Sequence, residues 1–387
     1  MSRPTAASRA AFTNLSAALL ESYPLQTPPL LFANESSSDD KPVSYLLVNL
    51  MLVDLRSSLP LLLEQLNSPQ YPQTAWRLAS AFNVVSNYIG YLLRSMDSPN
   101  PSFVVSPDLL LKLRRSLSET MSVAVEFLRD RYDASVAGAL GLHPEARTGT
   151  ANTAAGVHLT LAWDSKDIGA TISNDPLVLA AVQALAIWLR EDDNEMLRKE
   201  AAGLVDMLMD LYRRSATPVE SLNFQRPVLV ALEGITAEKK GIEAFINNDG
   251  WQVLADDMMA ILHGSRDEGE AAKGVEVVRV LLHVAEAERP GPREQWMDVV
   301  TRVAAWYYVA PEDAPVGMVE EFQVAALQLV TALLSGTHPG VRKRYVHSTS
   351  AVLGVAVSLK KSIVSRKGEK GLVEGLEDVL VTLGEFR

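Results

Sequence analysis

Apolar residues recur at intervals of three and four along most of this chain, the pattern of helices that bury one face. The pattern is densest in four stretches: Ala181–Leu189, Pro227–Ile235, Glu276–Val284 and Gln323–Leu334. If Leu185, Leu232, Leu281 and Leu327 are equivalent positions, they are offset by 47, 49 and 46 residues. Armadillo and HEAT repeats have periods of this length. We therefore predict an all-α fold, specifically an armadillo/HEAT-like right-handed helical solenoid.

The same pattern divides the chain into an N-terminal segment and a repeat domain. Thr5–Leu20 is predicted to be a lone amphipathic helix, and the segment from Pro24 to Pro42 is rich in Pro and Ser, as linkers are. Residues 1–41 therefore form a helix and linker, and residues 42–387 form the armadillo-like domain. Its predicted helices are Val43–Leu59, Thr74–Met96, a helix capped by Ser106 and running to about Arg131, Leu177–Leu189, Glu195–Arg214, Arg226–Ile235, Gly241–Asn247, Trp251–His263, Gly269–Ala287, Arg293–Val309, Met318–Leu334, Val341–Lys361 and Lys370–Leu383.

Helical periodicity fails between about residues 142 and 174. This stretch is rich in Gly, Thr, Ala and Ser, and only Val157–Trp163 alternates as a short strand would. Loops of this length are uncommon in compact domains and are often functional or flexible. The segment is either a flexible insertion in one repeat or a binding loop.

Composition indicates an ordered chain. Hydrophobic residues make up 48% of the 387 positions and charged residues 21%, as in folded soluble proteins. A single compact core rarely grows to this length, whereas a solenoid grows by adding repeats. The N-terminal residues lack the uninterrupted apolar core of a secretory signal, and the apolar run Tyr45–Val53 is too short to span a membrane. We expect a cytoplasmic protein.

Signatures of catalysis are missing from the sequence. There is no cysteine, and no two of the six histidines have the spacing of a helical zinc site. The glycines Gly264 and Gly269 have the spacing of a phosphate-binding loop, but Glu270 and Ala271 follow them instead of Lys and Ser or Thr. The acidic run from Glu191 to Asp193 is either a solvated turn or a pair of catalytic carboxylates. We predict no enzyme activity, no cofactor, no metal and no small-molecule substrate.

Charge is unevenly distributed. The net charge is −11, but the segment from Arg342 to Lys370 carries +7, which leaves −18 for the rest. The excess of negative charge disfavours nucleic-acid binding. The basic segment is either a pair of solvated helix faces or a patch for acidic protein segments or anionic lipid headgroups. The candidate partner-binding residues are Arg342, Lys343, Arg344, Lys360, Lys361, Arg366 and Lys367, with His283 and Trp188 from predicted apolar helices.

The repeat register also predicts which positions would line a peptide groove. Armadillo repeats that grip extended peptides carry a ladder of asparagines. The register of the four leucines places Ile187, Gly234, His283 and Leu329 at those positions, and none is asparagine. We therefore predict that the repeats recognise partners through other groups.

Four blocks of the sequence are similar to the fungal branch of the neurochondrin family. They are Asp39–Leu50, Val53–Pro60, Leu128–Gly138 and Ala184–Asp192, and the resemblance extends from about Leu15 to Phe386. It implies a cytoplasmic, leucine-rich, armadillo-like protein without catalytic activity. Animal members are associated with neurite outgrowth, receptor and kinase signalling, and endosomal trafficking, so a general role in signalling or vesicle-associated scaffolding carries over. No family motif assigns binding residues.

These observations favour a non-enzymatic scaffold or adaptor that binds protein partners through a solenoid surface. The alternative is a peripheral membrane protein that binds anionic lipid through residues 342–370.

Overall fold

The computed structural model describes residues 6–33, 42–97, 106–142, 161–163, 172–215, 222–264, 267–288, 291–308, 315–366 and 368–386. Helices form nearly all of the regular structure in these ranges, which confirms the all-α prediction. The chain divides into two compact units, Met1–Gly234 (unit 1) and Ile235–Arg387 (unit 2). The boundary predicted near residue 41 stays a prediction.

Unit 1 contains eight described helices and most of a ninth. They are α1 (Ala6–Ser22), α2 (Thr27–Phe32), α3 (Val43–Ser58), α4 (Tyr71–Asp97), α5 (Pro107–Ala137), α6 (Pro176–Glu191), α7 (Glu195–Ala201), α8 (Val205–Ser215) and α9 (Gln225–Thr236), whose last residues belong to unit 2. Short 3₁₀ turns cover Leu59–Leu61, Leu63–Gln65 and Ala202–Leu204.

Unit 2 contains the remaining described helices. They are α10 (Lys239–Asn247), α11 (Gly250–Gly264), α12 (Glu268–Ala287), α13 (Asp298–Ala304), α14 (Met318–Gly336), α15 (Pro339–Arg342), α16 (Val346–Ser365) and α17 (Lys370–Gly384). Two 3₁₀ turns cover Glu294–Met297 and Lys343–Tyr345. The long helix predicted over Arg293–Val309 is therefore shorter, because a 3₁₀ turn precedes α13 and the α-helix ends at Ala304.

Helix starts follow the capping residues of the sequence. The Asp175 side chain accepts a hydrogen bond from the Leu177 backbone N–H at 3.0 Å, and Pro176 occupies the first helical position of α6. Ser106 also lies at an N-cap, but its side chain makes no capping hydrogen bond. Helix α5 continues past the predicted end near Arg131 to Ala137, and Gly138 ends it with φ +80°.

The segment predicted as an N-terminal linker contains a short helix. Pro28 and Pro29 lie in the first turn of α2, where a missing backbone N–H costs no helical hydrogen bond. Phe32 at its end is fully buried, and its ring meets Tyr88 edge-to-face at 5.1 Å. An apolar anchor thus orders part of this segment; residues 34–41 lie outside the described ranges.

A two-stranded antiparallel sheet pairs the start of the predicted loop with residues inside it. Strand β1 (Ala139–Leu142) pairs with β2 (Leu161–Trp163), with Ala139 opposite Trp163. The sequence-predicted alternation at Val157–Trp163 is thus a strand over its last three residues. The rest of the predicted loop, up to residue 171, lies outside the described ranges.

The core of each unit contains the leucines that set the proposed repeat register. Leu185 and Leu232 are fully buried in unit 1, and Leu281 and Leu327 are fully buried in unit 2. In unit 1, α9 packs closely on α6 at Gly234, where a Cβ atom would lie 2.8 Å from Leu189 Cβ. This approach requires glycine, because any larger residue would collide with the neighbouring helix.

One described helix is long and apolar enough to span a membrane. It is α14, with a mean hydropathy of 1.2, and half of it is buried inside the structure. Its buried residues, including Phe322, Leu327 and Leu334, pack against neighbouring helices of unit 2. The same apolar character fits the central helix of a protein core.

Candidate partner-binding surfaces

Two of the predicted basic contact residues form part of the internal structure of unit 2. Arg366 makes a 2.8 Å ion pair with Glu320, and the two side chains are only 10% and 6% exposed. Arg342 donates hydrogen bonds to the carbonyls of Ser335 and Thr337. These carbonyls lie at the C-terminal end of α14, where they have no partner within the helix. The Arg342 guanidinium also lies 4.0 Å from the centre of the Phe386 ring.

Most of the other basic residues in this segment have acidic partners. Ion pairs join Arg344 to Glu294 at 2.8 Å, Lys360 to Glu377 at 2.7 Å and Lys370 to Glu374 at 3.1 Å. Lys343 and Lys361 are exposed and form no ion pair with any described residue. They lie near opposite ends of α16, a 20-residue helix about 30 Å long. Lys367 lies outside the described residues.

The structure therefore does not gather the basic residues into one patch. The described basic residues lie before α16, near its C-terminal end and at the start of α17, and most are paired with carboxylates of unit 2. This arrangement resembles the solvated helix faces of the first alternative more than a concentrated anion-binding surface.

The two other candidate contact residues differ in exposure. Trp188 is 7% exposed, so it belongs to the core of unit 1, and its indole N–H has no hydrogen-bond partner within the described residues. His283 is exposed on α12. Burial therefore separates Trp188 from any binding surface, whereas His283 remains accessible.

The predicted ladder positions do not form one surface row. Gly234 is buried and Leu329 is fully buried, while Ile187 is half-buried and His283 is exposed. The register is therefore wrong for α14, because successive helix residues point about 100° apart. The exposed neighbour of Leu329 is Gln328, which carries the same amide group as asparagine.

A groove in unit 2 runs over three adjacent helices. Helix α14 packs against α12 on one side and α17 on the other. The groove has a volume of about 720 Å³ and is lined by residues of all three helices, many of them small, such as Ala285, Ala332 and Gly375. Helices α12 and α14 approach closely at Gly274, where a Cβ atom would lie 2.6 Å from the Phe322 ring. Small side chains thus leave the groove open above a tightly packed core.

The groove is acidic. Glu286 and Asp378 line it and are exposed, and neither makes an ion pair with a described residue. Glu288, at one end, is paired with Arg293 at 3.1 Å. Among the described residues that line the groove, none is basic; Arg289 lies outside the described ranges. Hydrophobic periodicity alone could not reveal the groove, since it depends on which helices become neighbours.

Unit 1 contains a smaller cavity of about 400 Å³ between α4, α5 and the start of α6. The Tyr71 hydroxyl donates a 2.5 Å hydrogen bond to Asp175, and Arg131 lies 3.9 Å from the same carboxylate. Burial raises the pKa of Tyr71 above its ordinary value, and the Asp175 charge raises it further. Tyr71 therefore stays protonated, and the Asp175 carboxylate caps α6, so neither side chain is a free base for catalysis.

Unit 1 also exposes apolar rows on two helices. On α1 the row comprises Phe12, Leu15 and Leu19, and on α3 it comprises Val43, Leu46, Leu50 and Val53. Each row follows helical spacing, so its side chains share one face. Contiguous exposed apolar surface is a common feature of interaction sites. The described residues contain no group of three or more His, Asp and Glu side chains that could hold a metal.

A model of the neurochondrin family matches residues 1–282. The chain belongs to the neurochondrin family. An uncharacterized protein of Schizosaccharomyces pombe is 22% identical over 268 residues, which cover 65% of this chain and 42% of the relative. The chain thus spans less than half of that relative's length. No solved structure matches.

The neurochondrin family is not known for enzymatic activity. The neurochondrin match covers all of unit 1 and most of α12, but α14 and α17 lie beyond it. The apolar rows of unit 1 therefore lie in the matched region. Apart from Leu282, the residues that line the acidic groove lie beyond the matched region.

Proposed function

We propose that this chain is a protein-binding scaffold whose helices stack as armadillo-like repeats in a right-handed solenoid, with a partner segment held in the groove over α12, α14 and α17. The groove itself carries the proposal. It is open and large enough for several residues of a bound segment, and it rests on three packed helices. Rigid supporting elements reduce the ordering cost of binding.

Contacts one repeat apart support the stacking of repeats. Five ion pairs between described side chains join residues separated by 43 to 50 positions: Arg190 with Glu233, Arg131 with Asp175, Arg302 with Asp256, Arg366 with Glu320, and Arg344 with Glu294. These separations bracket the offsets between the four buried leucines. Each pair lies within one unit, and such recurrence is expected where every repeat contacts mainly its neighbours.

A groove-blocking substitution tests this function. We expect Ala332→Trp to fill the groove, because Ala332 lines it, whereas Ala351→Trp adds the same side chain at an exposed position of α16 outside it. A phage-displayed peptide library would be selected on the wild-type protein and rescreened on both variants, with folding checked by circular dichroism. Selected peptides should lose binding to Ala332→Trp and keep it to Ala351→Trp. Failure to select any peptide, or equal binding to both variants, would refute the groove as a partner site.

Within the described part of the basic segment, the anionic-membrane alternative depends on Lys343 and Lys361, which are exposed and form no ion pair with a described residue. Reversing Arg342 would disturb the end of α14, so Lys343→Glu with Lys361→Glu is the cleaner change. Co-sedimentation with phosphatidylserine vesicles should be weak for the wild type and unchanged by the double reversal. Strong wild-type binding that the reversal abolishes would favour the membrane function instead.

The cellular location and role of the scaffold are proposed from the family resemblance. We place the scaffold in the cytoplasm, in signalling or vesicle-associated assemblies. Fluorescence microscopy of the tagged protein tests the location, and a signal confined to the nucleus or the cell exterior would contradict it.

A further inference from the structure

We infer that the segment bound in the α12–α14–α17 groove is cationic and extended, a Lys- or Arg-bearing stretch of a protein partner. This inference rests on the proposed function. The positions of two carboxylates support it. Glu286 lies on α12 and Asp378 on α17, so negative charge lines both outer helices of the groove. The helix between them contributes Gln328, which is uncharged.

The two carboxylates are available to a ligand. Five other carboxylates of unit 2 are engaged by basic side chains of the same unit: Glu288, Glu294, Glu320, Glu374 and Glu377. Glu286 and Asp378 have no such ion-pair partner among the described residues, and both are exposed. Asp249, Glu268 and Glu369 are likewise exposed without an ion pair to a described residue, but they lie outside the groove, so Glu286 and Asp378 are the carboxylates that a bound segment would meet.

The middle of the groove suits a peptide backbone. Gln328 is exposed, and its amide offers both donors and an acceptor, which is what a peptide group requires. Ala332 and Ser335, on the following turns of α14, are small. An extended segment can therefore approach α14 closely while its long basic side chains reach towards the carboxylates on either side.

Charge also determines which partners are excluded. Like charges brought together in a groove disfavour binding, so an acidic segment or a nucleic-acid phosphate is repelled by Glu286 and Asp378. A neutral segment gains the backbone contacts but no ionic ones. Cationic side chains alone satisfy both kinds of group.

Three labelled peptides test the inference: (Lys-Lys-Ser-Ser)₃, (Gln-Gln-Ser-Ser)₃ and (Glu-Glu-Ser-Ser)₃. They share length and backbone, and in an extended conformation each presents its long side chains on both faces. Binding to the full chain is measured by fluorescence anisotropy at low and at moderate salt. We expect the lysine peptide to bind most tightly and to weaken with salt. Glu286→Gln and Asp378→Asn should each weaken it about two- to fivefold. Glu268→Gln is the matched control, since it removes an exposed carboxylate from the same helix as Glu286, about 27 Å along the helix axis and outside the groove, and should leave affinity unchanged.

The outcomes separate this inference from the function on which it rests. If library peptides depend on an open groove but contain no excess of Lys or Arg, the scaffold function stands and the cationic partner is wrong. The inference is likewise overturned if the lysine peptide binds no better than the glutamine peptide, or if Glu268→Gln weakens its binding as much as Glu286→Gln does. If no peptide responds to Ala332→Trp, the groove function itself fails.

Discussion

Glu320 joins the start of α14 to the end of α16. One carboxylate oxygen accepts a 2.9 Å hydrogen bond from the Gly317 backbone N–H, and the other pairs with Arg366 at 2.8 Å. Both charged side chains are at least nine-tenths buried. We therefore predict that Arg366, a candidate partner contact from sequence, stabilises unit 2 instead.

The perturbation is Glu320→Ala. It leaves the Arg366 guanidinium buried without its carboxylate, which costs about 3–5 kcal/mol for a buried pair. Loss of the cap on α14 adds about 1 kcal/mol. The double variant Glu320→Leu with Arg366→Leu buries no unpaired charge, so it should be clearly more stable than Glu320→Ala.

The free energies of unfolding are measured by urea denaturation, with tryptophan fluorescence as the signal. Hydrogen exchange of peptides from α14 and α16 shows whether the loss is confined to the two helices that Glu320 joins. A cost below about 1 kcal/mol for Glu320→Ala would refute the reasoning. So would an Arg366→Ala variant of unchanged stability that loses partner binding, because Arg366 would then be a contact residue.

Three further changes test the packing and the pH dependence. Gly234→Ala should cost about 1–3 kcal/mol in urea unfolding, because its Cβ would lie 2.9 Å from the Leu189 carbonyl oxygen; Gly90→Ala, with no neighbouring atom within 4 Å, should instead gain about 0.5–1 kcal/mol. Trp296→Ala should cost about 3–5 kcal/mol, since this fully buried ring stacks on another tryptophan at 4.1 Å. Burial raises the pKa of Tyr71, so as the pH rises this tyrosine loses its proton in the unfolded chain before it does in the folded chain. The contribution of Tyr71 to the free energy of unfolding is therefore fully present below about pH 10 and decreases above it. Tyr71→Phe should reduce that alkaline loss by roughly 1.4 kcal/mol per pH unit, and an unchanged slope would contradict the burial argument.

Helix positions were predictable because they depend on local sequence. The predicted helix Leu177–Leu189 matches α6 (Pro176–Glu191), which the Asp175 side chain caps. The helix α2 was missed because its prolines resemble a linker, whereas burial of Phe32 against α4 decides its structure. Tertiary contacts of this kind are not visible in hydrophobic spacing.

The candidate site was less predictable than the helices. The basic segment was identified by charge, but Arg344 finds its acidic partner 50 residues away and Lys360 finds its partner 17 residues away. Only the fold brings these pairs together. The predicted groove position on α14 was wrong for a similar reason. Buried Leu329 and exposed Gln328 are adjacent, and the spacing between repeats does not fix a position to within one residue.

The groove of unit 2 separates recognition from stability. Its exposed lining residues, such as Gln328, Glu286 and Asp378, lie outside the buried faces of their helices and contribute little to the core. Mutations there can change which partner is bound while the helices keep their packing. Lineages could therefore acquire new partners through a few surface substitutions, and a protein engineer could redirect the groove by the same changes.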